Sequence, residues 1–422
     1  MKIAYFVIAL FMLSVLNTSS ITRDDEFTSK NFNLYDESRN RSIPITVYYP
    51  TEGKNFPVII VSHGGGGNRT SLITHVLHLV KNGYVVIVPE HVGSNTEYLR
   101  HLLEKGYSFK EALKEMAGNT TEWENRPKDI SFVINMAYLW NKSDKDLKGK
   151  MDLSKIGILG HSYGAYTVMV VLGVLVKMPY GITSFKDKRI KAGIAISPQG
   201  AEGNPKIDRV NDFFFNGSWK NITKSVSFFV ESDDLVEWRM EPFNEMHGDV
   251  YYIRFIASKH TDFSDWKETL RSKETRNVSK ALALRFFNVY LKGYNKSTYN
   301  EEYADSLCKK NKIVIDIIWE DKLNDTIYIE KPLIGYLYVF DRMVMPIRNT
   351  IIIGKITIEV KAYGDKINRV EFYLNNKLKF TDYEEPYEWQ WNDFSFGKYE
   401  IKIVAYSNNV KEEKIEVIAF IC

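Results

Sequence analysis

Gly160-His161-Ser162-Tyr163-Gly164 lies between an apolar run at residues 155–159 and a helix-compatible run that begins at Ala165. A glycine on either side of a serine, where a strand passes into a helix, fits a turn so tight that a Cβ at either flank would meet neighbouring backbone. Such a turn projects the Ser162 hydroxyl from the end of a central strand and makes it a candidate nucleophile. A bare G-x-S-x-G also arises by chance, so the rest of the chain has to support it.

Around that turn, apolar strand-like runs alternate with helical patterns from Ser42 to Leu291. Strands are expected at 43–49, 58–62, 84–88, 155–159, 190–196, 225–230 and 250–255, and helices at 70–82, 127–140, 165–176 and 275–291. The alternation predicts an α/β domain with a mostly parallel sheet and helices on both faces. Residues 95–124 interrupt it with Tyr, Leu, Phe and Trp among charges, which reads as a helical excursion capping the sheet edge.

Directly after the strand at 58–62 comes His63-Gly64-Gly65-Gly66-Gly67. A glycine-rich loop in this place brings backbone N–H groups close to a reacting carbonyl oxygen, with the residue after the nucleophile as the other donor. Gly65 and Tyr163 are the expected donors. A phosphate-cradling turn is the competing reading, but the loop lacks the G-x-x-x-x-G-K-[ST] lysine.

A serine hydroxyl needs a base, and the base a carboxylate to orient it. Beyond Ser162 only His247 and His260 remain. His260 follows the strand at 250–255 through a short loop, at the end where the nucleophile emerges; His247 precedes that strand. The acid is expected at the end of the strand before, where Glu231-Ser232-Asp233-Asp234 stands. Asp233 is the expected acid, against the competitors Glu231, Asp234, Asp262 and Asp265. Asp262 and Asp265 follow the histidine in its own loop and read as loop-capping groups.

Near Cys308 the alternation stops. From about Lys312 period-two strands take over, at 357–363, 369–374 and 400–406, with turn residues Gly364-Asp365, Asn375-Asn376 and Asn408-Asn409 between them. About a hundred residues of short strands read as a small all-β sandwich. The expected organisation is a leader at 1–20, a catalytic domain at 21–308, a linker at 309–328 and the sandwich at 329–422.

Lys2, an apolar run at 3–16 and Asn17-Thr18-Ser19-Ser20 have the pattern of a secretory signal peptide, an uncleaved anchor being the alternative. Asn-x-Ser/Thr sequons at Asn119, Asn141, Asn221, Asn277 and Asn295 are compatible with export. The two cysteines, Cys308 and Cys422, leave a disulfide and two separate thiols equally open. A net charge of +3 with no basic stripe argues against nucleic-acid binding. No metal-ligand spacing is present, and the expected chemistry needs no cofactor.

Taken together these segments resemble the platelet-activating-factor acetylhydrolase and predicted dienelactone hydrolase group of the α/β-hydrolase superfamily, from about Ser42 to Leu291. The resemblance is carried by Ile43-Pro44-Ile45-Thr46-Val47-Tyr48-Tyr49-Pro50, Phe56-Pro57-Val58 through Gly67, and Pro89-Glu90-His91-Val92-Gly93-Ser94-Asn95. Arg126-Pro127-Lys128-Asp129-Ile130, Ile196-Ser197-Pro198-Gln199-Gly200, Glu231-Ser232-Asp233-Asp234 and Ser258-Lys259-His260-Thr261-Asp262 continue it in order. It implies Ser162, Asp233 and His260 as triad and Gly65 and Tyr163 as oxyanion donors. Ala165, where a second glycine often follows the elbow, and Glu237, where a proline often follows the acid, depart from the pattern. The tail, with residues 367–374 and Pro386-Tyr387-Glu388-Trp389, resembles immunoglobulin-like modules of microbial extracellular enzymes.

The expectation is a secreted or surface-exposed serine esterase acting on a small-molecule or lipid-like ester, with no spanning segment once the leader is removed. The C-terminal module is expected to be a spacer or to contact a polymer or cell surface. Phe213, Phe214, Phe215 and Trp219 form a candidate acyl wall, with core packing as the competing reading. A peptidase or amidase on the same fold, and a binding protein on a retired hydrolase scaffold, are the rival functions.

Overall fold

The structure is a computed structural model that describes residues 26–421 except 221, 223, 233–234, 312, 314, 322–325, 333–335, 348, 364–366 and 408–409. The expected leader, Asp233, Asp234, Asn221, Cys422 and the turns expected at 364–365 and 408–409 lie outside the described residues.

The first domain is built on strands β1 (Phe27–Asp36), β2 (Arg41–Pro50), β3 (Phe56–Ser62), β4 (Val85–Pro89), β5 (Met151–His161), β6 (Leu175–Met178), β7 (Gly181–Ser184), β8 (Ile190–Ile196), β9 (Ser225–Glu231), β10 (Asp249–Phe255) and β11 (Ile315–Asp321). Nine of them form one sheet in the order β1-β2-β4-β3-β5-β8-β9-β10-β11, while β6 and β7 make a separate hairpin. The six central strands, from β4 to β10, run parallel. β1, β2 and β11 join antiparallel at the edges.

The central strands are apolar on both faces because both are covered. Val58 and Ile60 enter one core and Ile59 and Val61 the other, as alternation across a pleated strand requires. On the first face pack α4 (Thr120–Ser143) and α5 (Tyr163–Leu172), and on the second α1 (Ile73–Lys81) and α7 (Leu270–Lys292). Between α1 and α4 the chain forms α2 (Thr96–Glu104) and α3 (Phe109–Gly118), so the expected cap is helical. α6 (Val236–Glu245) follows β9, and α8 (Glu301–Asn311) closes the domain's helices.

Helix α4 begins seven residues earlier than the sequence pattern suggested, capped by Asn119, and carries Pro127 inside it. Proline cannot bond the carbonyl four residues back. That carbonyl, on Trp123, instead accepts the Tyr166 hydroxyl of α5 at 2.7 Å. The missing helical bond thus becomes a contact between helices. α5 stops at Leu172, four residues short of the expected end, because Gly173 turns the chain at φ 124° into the β6–β7 hairpin.

Residues 309–328, read as a linker, supply β11, the ninth strand of the main sheet. Cys308 on α8 is a free, buried thiol, and burial pushes it up to about 11.

The C-terminal domain comprises β12 (Thr326–Lys331), β13 (Tyr336–Val339), β14 (Arg342–Pro346), β15 (Ile351–Ile353), β16 (Ile356–Tyr363), β17 (Arg369–Leu374), β18 (Lys377–Asp382), β19 (Tyr387–Trp391), β20 (Ser395–Tyr406) and β21 (Val410–Ile421). They form a sheet β12-β16-β19 and a sheet β14-β13-β15-β21-β20-β17-β18. Inward residues of both, among them Ile358, Phe372, Trp391 and Ile403, make one core, the sandwich that the alternation predicted. Asn375 and Asn376, at φ 48° and 63°, turn β17 into β18 as the asparagine pair suggested. The Tyr336 hydroxyl reaches the Ser184 carbonyl of β7 at 3.3 Å, a contact between the two domains.

Candidate active site

The turn from β5 into α5 places Ser162 at φ 56°, ψ −117°, a backbone state that an L-residue holds only when its surroundings enforce it. Its N–H donates to the Ile196 carbonyl at 2.8 Å, and its carbonyl accepts the Ala165 N–H at 2.8 Å and the Gln199 side-chain amide at 2.7 Å. The flanking glycines are sterically required. A Cβ on Gly160 would lie 2.3 Å from the Gly164 carbonyl oxygen, and one on Gly164 would lie 2.0 Å from that of Ser62.

The loop after β3 packs against this turn. A Cβ on Gly64 would meet the Ser162 Cβ at 3.3 Å, and one on Gly65 would face the Tyr163 ring at 3.9 Å. The loop is pinned by the Gly66 N–H to the Ser94 carbonyl at 2.9 Å and by the Thr96 N–H to the Gly67 carbonyl at 2.8 Å. The N–H groups of Gly65 and Tyr163 have no backbone partner among the described residues, and both residues line the same cavity as Ser162.

His260 begins a short turn after β10 and also lines that cavity. Its Nδ1 lies 2.7 Å from Glu231 Oε1. The carboxylate opposite the imidazole is therefore Glu231, and the expected acid, Asp233, lies outside the described residues. The difference has a simple cause. β9 continues one residue beyond its apolar run, so its last residue is Glu231, fully buried and level with Phe255 of β10. Glu231 thus occupies the strand end where the sequence places the acid, two positions before Asp233.

Three groups secure Glu231. Arg239 on α6 contacts Oε1 at 2.8 Å, and the Ser197 hydroxyl donates to Oε2. Arg239 also donates to the carbonyls of Ser197 and Pro198, at 3.1 and 2.8 Å. Burial opposes the charge on Glu231, but Arg239, His260 and Ser197 outweigh it and hold the carboxyl well below the usual carboxylate range. His161, within the elbow, bonds the His260 carbonyl through Nε2 at 2.9 Å. Burial, then the neighbouring His260, pull the His161 imidazole down to about 3, so at neutral pH it is an uncharged strut. Sequence reasoning assigns no role to Arg239, Ser197 or His161; the signals present were the place of His161 inside the elbow and of Ser197 in the Ile196–Gly200 segment.

Two of the competing carboxylates, Asp262 and Asp265, are occupied. Asp262 accepts the Lys259 N–H at 2.8 Å, and Asp265 accepts the Thr74 N–H at 3.0 Å and pairs with Arg276 at 3.3 Å.

The cavity measures about 630 Å³. Leu99, Phe109, Leu113 and Met116 of α2 and α3 line one part of it, so the cap borders the site. Phe213 joins the lining, whereas Phe214 and Trp219 are fully buried in the core beneath it. The expected aromatic wall thus reduces to Phe213. Among the described residues no cluster of three or more His, Cys, Asp or Glu side chains is placed to hold a metal ion.

A strained serine at a strand-to-helix turn, a glycine loop beside it and an imidazole–carboxylate pair at the same end of a mostly parallel sheet define an α/β-hydrolase fold. Residues 35–111 match the family model described as platelet-activating factor acetylhydrolase, isoform II, and residues 342–403 match the bacterial Ig domain. The chain is 25% identical over 215 residues to the platelet-activating factor acetylhydrolase of Cavia porcellus, covering 42% of this chain and 44% of that protein. It is 27% identical over 168 residues to the one from Canis lupus familiaris, covering 34% of this chain and 35% of that protein. The chain thus spans less than half the length of these curated relatives. A solved ferulic acid esterase from Streptomyces cinnamoneus aligns at a TM-score of 0.49 with 15% identity, over 71% of this chain and 98% of that one.

Proposed function

We propose that this chain is a serine hydrolase that cleaves carboxylic esters through an acyl-enzyme. Ser162 is the nucleophile, His260 the general base and Glu231 the acid that orients it. The observation that carries the reading is the Glu231–His260 pair, 2.7 Å long, at a cavity that Ser162 also lines. The similarity to acetylhydrolases over the first domain supports the ester as the bond cleaved.

In this reading His260 Nε2 takes the Ser162 proton as Oγ attacks the ester carbonyl, and Glu231 stabilises the imidazolium through Nδ1–H. The oxyanion is received by the N–H groups of Gly65 and Tyr163. Collapse expels the alcohol, which takes the proton from His260. Water then attacks the acyl-enzyme, giving its proton to His260, and Ser162 regains a proton as the acid leaves.

Leu99, Leu113, Met116 and Phe213 suit an ester with an apolar portion, small-molecule or lipid-like. Export is part of the proposal and rests on the leader-like composition of residues 1–20. The C-terminal module serves as a spacer or as a contact to a polymer or cell surface.

The test is labelling with a fluorophosphonate, alongside turnover of p-nitrophenyl acyl esters and of peptide anilides. Labelling should fall on Ser162 and esters should be preferred. Ser162→Ala should leave at most the roughly 10³ to 10⁴-fold rate over water that binding and an oxyanion hole provide. Labelling of a different serine would sink the assignment, and faster cleavage of the anilides would make the chain an amidase.

A further inference from the structure

Arg126 on α4 is fully buried, and its donors reach four acceptors on three separate segments. Nε donates to Thr167 Oγ1 at 3.0 Å, Nη1 to Ser94 Oγ at 2.8 Å, and Nη2 to Ser62 Oγ at 3.2 Å and to the His63 carbonyl. Its guanidinium carbon lies 4.3 Å from the centroid of the Tyr163 ring, a cation–π contact. One side chain therefore ties the end of β3, the start of the glycine loop, the loop after β4 and the first turns of α5.

None of those acceptors is a carboxylate. The nearby acids are engaged elsewhere: Glu122 takes both terminal nitrogens of Arg41 at 2.9 Å, and Asp129 is shared by Arg39, Arg41 and His91. His91 in turn meets Ser62 Oγ at 3.0 Å through Nε2, so Ser62-His91-Asp129 repeats the order of a triad in a place fully closed to solvent. In that sealed position it braces the loop and does no chemistry. Burial pulls the Arg126 guanidinium down to about 10, which still leaves it charged at neutral pH.

A buried cation bonded only to neutral groups is costly to hold for packing alone. Its place supplies a reason. It grips the carbonyl of His63, two residues before Gly65, and the ring of Tyr163, the two residues whose N–H groups are the proposed oxyanion donors. We infer that Arg126 is a positioning residue for the oxyanion hole, fixing the glycine loop against the elbow and setting a permanent positive field behind the place where negative charge develops. This rests on the ester-hydrolase reading, and its effect is felt in the transition state more than in substrate binding.

The experiment compares wild type, Arg126→Met and Arg126→Lys on one p-nitrophenyl ester, together with the affinity of an aryl boronic acid, whose serine adduct is tetrahedral and anionic. Arg126→Met should lose about 10²-fold in kcat, the scale of one lost oxyanion donor, with KM within threefold. The boronic acid should bind weaker by a similar factor, and Arg126→Lys, a point charge in place of a fork, should regain about tenfold of both while staying below wild type. Wild-type kcat in Arg126→Met overturns the inference, as does lost turnover with unchanged boronate affinity, or a folded lysine variant no better than the methionine one. If Arg126→Met does not fold, the lysine variant decides alone: boronate affinity equal to wild type overturns the inference, and weaker affinity with unchanged KM supports it. Failure of the wild type itself to hydrolyse esters or label at Ser162 would remove the parent reading instead.

Discussion

Glu231 Oε1 lies 2.7 Å from His260 Nδ1, with the carboxylate fully buried and the imidazole 38% exposed at the cavity. The inner partner is sealed and charged and the outer one opens to the cavity, the division of labour that a base and its orienting acid need. Glu231→Gln would preserve the shape but present the wrong hydrogen-bonding group to Nδ1. We expect a loss of about 10⁴-fold in kcat, by analogy with the aspartate-to-asparagine change in serine proteases. Asp233→Asn should cost less than tenfold. Steady-state kinetics on one soluble ester compares the two, and the reverse order would return the role to Asp233.

Much of this site was legible because its parts are local. The elbow, the glycine loop and the placement of His260 each depend on a few consecutive residues whose backbone needs are written in their types. The acid was harder. Four carboxyl-bearing or hydroxyl-bearing residues follow one another at 231–234, and Glu231 turns inward because β9 runs one residue past its apolar run to pair with Phe255 of β10. Edge strand β1 was missed for a related reason, while β11 fell within the expected linker. Phe27-Thr28-Ser29-Lys30-Asn31-Phe32 is largely polar, and only pairing with β2 along ten residues makes it a strand. Arg126 shows the same limit from the other side: the sequence marks it only as part of a family-like segment, and its bonding partners, on three other segments, appear only in the tertiary packing.

Arg239 should prove as important to stability as to turnover. Removing one partner of a buried pair leaves the other charge unsatisfied, at about 3–5 kcal/mol. Arg239→Met should therefore lower the unfolding free energy by that amount. It should also raise the pKa of Glu231, so that activity is lost at a higher pH on the acid side than in wild type. Denaturant titration and a pH–rate profile read the two effects; an unmoved acid limb would show that Arg239 does not tune Glu231.

The buried histidines predict how stability depends on pH. Burial first, then neighbouring cations, lower His75 and His161 to about 3 and His78 to about 4, and hold His63 and His91 well below the ordinary imidazole value. Each binds a proton more readily unfolded, near 6.5, than folded. Stability is then fully present above about pH 6.5 and declines as pH falls toward the folded values, by up to about 1.4 kcal/mol per pH unit for each group. The melting temperature should drop steeply between pH 6.5 and 4.5. His75, which meets Ser279 at 2.9 Å and does not line the cavity, offers the check: His75→Leu should flatten that decline by about one proton's worth. An unchanged slope would exclude His75 from the effect.

Where the catalytic domain ends is open to a truncation series. β11 pairs antiparallel with β10 along seven residues, and β10 leads directly into the loop that carries His260. A chain ending near residue 311 loses this strand and leaves the edge of β10 unpaired, whereas one ending near residue 324 keeps it. With each ladder hydrogen bond contributing about 1 kcal/mol net, the shorter chain should melt on the order of 10 °C lower. The longer one should keep the full chain's kcat on a small soluble ester, because every residue of the proposed machinery lies before Cys308. It should also lose the part-buried Tyr336–Ser184 hydrogen bond between the domains, worth about 1 kcal/mol net. Equal melting temperatures for the two truncations would show that β11 is dispensable. Lost small-ester activity in a folded chain ending near 324 would show instead that the sandwich takes part in shaping the site.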